Sequence, residues 1–93
     1  MGNLPTFEWD DQSAIRFETT QDIIGRVVAV YTARIAAEES RPDPDEEAVR
    51  RWEAEQDKAV RDRKNLRATD PAEVERVRSR YVALLRDLRG NAE

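Results

Sequence analysis

The residues that could do chemistry fall into two charged groups, one basic and one acidic. Arg61, Arg63, Lys64 and Arg67 bring four cations close together in the chain, a candidate anion or nucleic-acid patch. A phosphate-binding surface needs such charges on one face. Further on, Arg76 and Arg80 flank an apolar stripe on one side, Arg78 and Arg89 flank it on the other, and Arg86 lies opposite. Arginines so arranged fit a solvated face, or pairing with acids of a neighbouring helix. No helix-turn-helix reader accompanies them. The sequence therefore argues against nucleic acid as a partner and keeps it as an alternative.

The acidic group is Glu38, Glu39, Asp43, Asp45, Glu46 and Glu47. Asp43-Pro44-Asp45 lacks the glycine and the ligand spacing of a calcium loop. Inward-facing acid pairs that could hold magnesium between helices are absent from the pattern. A solvated helix N-terminus is the expected role, and neither a metal nor a cofactor is expected. With no histidine, the commonest general base and transition-metal ligand is missing. With no cysteine, disulfides and thiolate metal sites are excluded. No catalytic residue is assigned. A small all-helical enzyme would need inward-facing charges around a pocket between helices, for which Arg26 and Arg34 are the available cations.

The charge is unevenly distributed along the 93 residues. Residues 1–22 carry five acids against Arg16 alone, and residues 38–57 carry nine acids against three arginines. Residues 61–89 reverse the sign, with nine bases and five acids. The chain is thus polarised, with an acidic middle and a basic C-terminal third. No basic-then-apolar leader opens the sequence, so the expected compartment is the cytoplasm.

Charged groups of this kind are positioned by helices, and three are expected. The one that organises the rest is within Ile23–Glu39. Ile24, Val28, Tyr31 and Ile35 recur at helical spacing as a core-facing stripe, widened by Ile23, Val27 and Val30. Gly25, Ala29, Thr32, Ala33 and Ala36 form a face of small residues. Such a face lets a second backbone approach closely, so Ile23, Gly25, Val27, Ala29 and Val30 are the candidate self-association residues of a homodimer. Arg26, Arg34 and Glu38 interrupt the segment, which rules it out as a membrane span.

Pro42 and Pro44 end this helix. A second is expected from Pro44 to Arg67 with Asp43 as its N-cap. Its seam of Val49, Trp52, Gln56, Ala59, Arg63 and Leu66 includes two polar residues, which can fix register. Ion pairs Glu47–Arg51 and Asp57–Arg61 are expected along it. Asp70-Pro71-Ala72-Glu73 carries an N-cap, a proline at the first helical position and an acid two residues later. That third helix is expected to run through Val74, Val77, Tyr81, Leu84, Leu85 and Leu88 to Arg89, with Gly90 closing it.

Residues 1–18 admit two readings. Phe7-Glu8-Trp9 and Ile15-Arg16-Phe17 alternate in period two, as in an extended arm. In period 3.6, Ala14, Phe17, Gln21 and Ile24 continue the helix backwards. The first reading is preferred, with the helix starting near Thr19 as N-cap. It gives an N-terminal arm over 1–18 and a bundle over 19–90, with helices at about 19–39, 44–67 and 71–89. Phe7 and Trp9 on the arm would clasp a partner.

The expected architecture is all-α: an up-down-up three-helix bundle with a long charged hairpin of coiled-coil character from the second and third helices. At Ile15-Arg16-Phe17, at Ala29 through Glu38, at Pro42-Asp43 and at Asp70 through Tyr81, the chain resembles short uncharacterised reading frames of actinobacterial mobile elements. That resemblance implies an accessory or regulatory role and no particular activity. The functional expectation is a non-enzymatic interaction module that self-associates through its first helix. A nucleic-acid-associated regulator or antitoxin-like partner is the alternative.

Overall fold

The structure is a computed structural model; it describes residues 3–90, with side chains described from Gln12 onward. Three helices make up the fold: α1 Asn3–Glu39, α2 Glu46–Asn65 and α3 Pro71–Gly90. No strand occurs among the described residues. The all-α, up-down-up bundle expected from the apolar periodicity is what the chain forms.

α1 is the axis of the molecule. Its 37 residues extend about 55 Å at 1.5 Å per residue, against 20 residues in each of the other helices. The molecule is correspondingly long, 66 × 23 × 17 Å. α2 returns antiparallel along α1, so that Gln56 meets Val28 and Arg63 meets Gln21. α3 then runs parallel to α1, bringing Leu88 level with Arg34. Both shorter helices pack along α1. The α2–α3 hairpin is present in its connectivity, but each arm lies on α1 and the two meet mainly through side chains. The clearest such meeting is Tyr81 Oη donating to Asp62 Oδ2 at 2.5 Å.

The start of α1 departs from the preferred sequence reading. No break separates an arm over 1–18 from a bundle over 19–90; helix is continuous from Asn3. The reason is visible at Thr20. An N-capping hydroxyl accepts from a backbone N–H further along the chain. Thr20, the residue after the expected cap Thr19, donates backwards to the Arg16 carbonyl at 2.8 Å, an i to i−4 bond made where helix already runs over residues 16–20. The bond also satisfies the hydroxyl of Thr20, which is wholly buried, as are Ile24 and Val27. The period-3.6 reading prevails, and Phe17 packs against the core.

The cap of α2 also moves. Asp45, not Asp43, accepts from the Ala48 N–H at 3.1 Å, and Pro44 precedes the helix. A buried acid explains the shift. Glu38 Oε2 accepts from the Asp45 N–H at 2.8 Å, while its two oxygens take the Arg41 guanidinium at 3.2 and 3.1 Å. Glu38 thus ties the end of α1 to the start of α2. At the other turn Asp70 caps α3 as expected, accepting from Glu73 N–H at 3.1 Å. Gly90 remains helical, without the positive φ expected of a closing glycine.

The core is a single apolar cluster where all three helices meet. Ile24, Val27 and Tyr31 of α1 face Ala59 and Leu66 of α2 and Val74, Val77, Tyr81, Leu85 and Leu88 of α3. Gly25 lies outside it. A Cβ built there would meet nothing within 4 Å. Glycine in a helix interior costs roughly 0.5–1 kcal/mol relative to alanine. Gly25→Ala is therefore expected to stabilise the single folded chain by about that amount, read as a rise in urea midpoint at constant slope in dilute, monomeric solution. An unchanged or lower midpoint there would mean that the chain's own side chains occupy the space over Gly25.

Candidate functional site

The two faces singled out for function can be followed residue by residue. Of the self-association set, Val27 is fully buried at the centre of the bundle and cannot meet a second chain. Ile23 and Val30 are half-buried and pack on the same core. Ile23 lies on the α3 side, sharing a shallow recess with Val82, Leu85 and Arg86. Only Gly25 and Ala29 stand on the uncovered side of α1. The separation follows from the wheel. Residues 23, 27 and 30 sit 60–120° to one side of Ile24 at 100° per residue, where α3 packs, and 25 and 29 sit 100–140° to the other. Ala33, Ala36 and Ala37 are exposed on the same outer side of α1.

A groove runs between α1 and α2 along that side. Gln21, Gly25 and Val28 of α1 line one wall, and Val60, Arg63 and Lys64 of α2 the other. Val60 is 48% exposed, one of two large apolar side chains so exposed among the described residues. The other is Ile15 of α1, 58% exposed. Phe7 and Trp9, the expected clasp, lie in the helical N-terminal part of α1, outside the residues whose side chains are described.

The basic set does not form one patch. All four of Arg61, Arg63, Lys64 and Arg67 are exposed. Arg63 leans onto α1, its Nε donating to the Gln21 carbonyl at 3.2 Å. Arg61 is two residues back, about 160° round the helix from Arg63, and points away from the bundle. Arg63 and Lys64 border the groove, while Arg67 belongs to the α2–α3 connection. A phosphate backbone could engage part of this set, not all of it.

Gln56 and Arg63, the polar seam residues, have a definite role. Each donates to a backbone carbonyl of α1, Gln56 Nε2 to Val28 at 3.3 Å and Arg63 to Gln21. Gln56 also bonds Thr32 Oγ1 at 2.6 Å. From the opposite side Arg34 Nη2 donates to the Leu88 carbonyl at 2.8 Å. Side chains that must find a carbonyl fix the sliding register of α2 and α3 along α1. The expected Glu47–Arg51 and Asp57–Arg61 pairs are not among the ion pairs formed. Among the described residues those are Arg41–Glu38, Arg76–Glu73, Arg78–Glu75 and a 4.0 Å contact of Arg80 with Asp62.

Among the described residues the perturbed titrating groups are two phenols, both structural in position. Burial raises Tyr31 above the ordinary 10.0, with Glu55 adding to the shift and Arg34 opposing it. Burial, the bond to Asp62 and the charge of Asp62 raise Tyr81 further, with Arg80 opposing. A phenol whose folded pKa is raised stabilises the fold below its unfolded value and loses that contribution as pH climbs past it. Stability is therefore expected to fall from about pH 10 upward. In the folded chain the phenolate absorbance of both tyrosines should lag behind that of the urea-unfolded chain. Coincident titration curves would contradict the buried Tyr81–Asp62 bond.

Among the described residues no group of three or more acids is arranged to hold a metal ion. No described helix is long and apolar enough to cross a membrane. No protein-family model, curated protein or solved structure matches the chain.

Proposed function

We propose that the protein is a non-enzymatic helical interaction module of the cytoplasm, which self-associates through the side of α1 that α2 and α3 leave uncovered. What carries this reading is the mismatch between one long helix and two short ones. α1 has 37 residues and a flank of small residues, Gly25, Ala29, Ala33 and Ala36, turned away from its own core. Helices meet most closely where side chains are small, and burial of apolar surface between two such flanks drives association. The exposed Val60 of α2 lines the groove beside Gly25 at the edge of this flank. An accessory role, as the mobile-element resemblance implies, fits a module of this kind. The test is light scattering over a dilution series, with Ala29→Glu as comparison. The reading expects a dimer that this charge disperses while the circular dichroism of the monomer is retained. A chain that is monomeric at every concentration sinks it.

A further inference from the structure

We infer that α2 is a releasable helix: it swings off as one unit about residues 40–45 and 66–70, while α1 and α3 stay paired. The inference concerns the single chain and stands whether or not two copies associate. Three observations converge on it. The first is how little apolar surface holds α2. Its buried residues within the helix are Ala48, Val49 and Ala59, with Trp52 half-buried beside them. α3 buries Val74, Val77, Tyr81, Leu85 and Leu88. The drive to bury a side chain grows with its apolar area, so the α2 set contributes far less than the α3 set. Twelve of the 20 residues of α2 are charged, yet none of the ion pairs among the described residues lies within it. Helices in proteins are stabilised mainly by packing of their apolar face, so the one with least of it gives way first.

The second is the kind of bond that supplements this small area. Gln56 and Arg63 donate to the Val28 and Gln21 carbonyls, Glu38 accepts from the Asp45 N–H, and Asp62 accepts from Tyr81. All four bonds are partly or fully open to water. Water can replace each partner when α2 leaves, so each bond resists release only modestly.

The third is topology. Turns and irregular backbone bound α2 at both ends, over 40–45 and 66–70. The backbones of α2 and α3 hardly meet, so α2 can leave without drawing α3 with it. The α1–α3 pair keeps contacts of its own. Ile23 shares a recess with Val82 and Leu85, and Arg34 holds the Leu88 carbonyl. Release uncovers Tyr31 and Tyr81, the only two tyrosines of the chain. Both lie against α2, where the charge of Glu55 acts on the first and Asp62 bonds the second.

The test is native-state amide exchange of the full chain, read by mass spectrometry at low micromolar concentration and at rising urea below the unfolding midpoint. Amides over residues 50–62 should exchange through an opening about tenfold or more as populated as the one that exposes residues 24–31 and 77–85. That opening should also depend less steeply on urea, because it exposes only part of the chain. Leu85→Ala then separates release of α2 from overall unfolding. Leu85 borders the recess with Ile23 and no residue of α2, so its contacts persist while α2 is off. The substitution should speed exchange in α3 about tenfold or more and leave that of α2 within about twofold. Leu85→Val gives the same contrast at smaller amplitude if the alanine chain does not fold. A single population and a single urea slope for α2 and α3, or equal acceleration of both by the substitution, overturns the inference.

Discussion

Ile24→Ala is expected to destabilise the chain by about 2–5 kcal/mol, the range for removing a buried branched side chain whose neighbours cannot collapse into the space. Ile24 is wholly buried in α1, at the point where the core residues of both shorter helices converge. Residues of α2 and α3 fill the space around it from two sides, so no single helix can shift inward without leaving the other. For a domain whose total stability is on the order of 5–15 kcal/mol, that loss brings the folded state close to its limit. A urea titration reads it as a lowered midpoint at constant slope. Ile15→Ala is the internal control, because a side chain that is 58% exposed should cost less than about 0.5 kcal/mol. Similar losses from the two substitutions would place the core elsewhere.

Glu38→Ala is expected to cost about 2–3 kcal/mol, from hydrogen bonds to a charged group that is nearly removed from water. The substitution leaves the Asp45 N–H without an acceptor and releases Arg41 from the end of α1. Arg41 is itself well exposed, so the ion pair contributes less than the backbone bond. Glu38→Gln should retain about half of the stability, because the amide oxygen can still accept from Asp45. The local readout is amide exchange: protection of the first turn of α2 should fall in Glu38→Ala before that of α3 does. Equal loss in α2 and α3 would mean that Glu38 is not the tie between α1 and α2.

The helices themselves were legible because each carried its own punctuation. Asp70-Pro71 starts α3 where a cap and a fixed φ require it, and the prolines at 42 and 44 close α1. The stripe of Val74, Val77, Tyr81, Leu85 and Leu88 is the buried face of α3. Two boundaries were harder for one shared reason. At Thr19–Thr20 and at Asp43–Asp45 the same residue types can cap a helix or bond another part of the chain, and the fold decides. The Thr20 hydroxyl turned backwards into α1, and the buried Glu38 selected Asp45. Glu38 reads in sequence as one more acid in a charged run, and only the fold separates it from its neighbours.

The functional faces were legible only in part. Small residues at helical spacing did mark the uncovered side of α1 at Gly25 and Ala29. The larger residues grouped with them, Val27 above all, belong to the monomer, because a single helix sequence does not say which of two apolar flanks its own chain will cover. The bonds from Gln56, Arg63 and Arg34 to backbone carbonyls carry no sequence signal beyond a polar residue at a seam position. The groove between Gly25 and Val60 depends on how α2 aligns with α1, which those bonds set.

The most direct measurement is the solution mass of the wild-type chain beside Gly25→Leu, by light scattering down to low micromolar concentration. Leucine at 25 has room in the monomer and favours helix, so the fold should be retained or gain stability. A bulky side chain there blocks the close approach of a second α1. The account predicts twice the 10.8 kDa chain mass for the wild type and the single-chain mass for Gly25→Leu, with equal helicity. A wild type that stays monomeric, or a dimer that Gly25→Leu leaves intact, would contradict it.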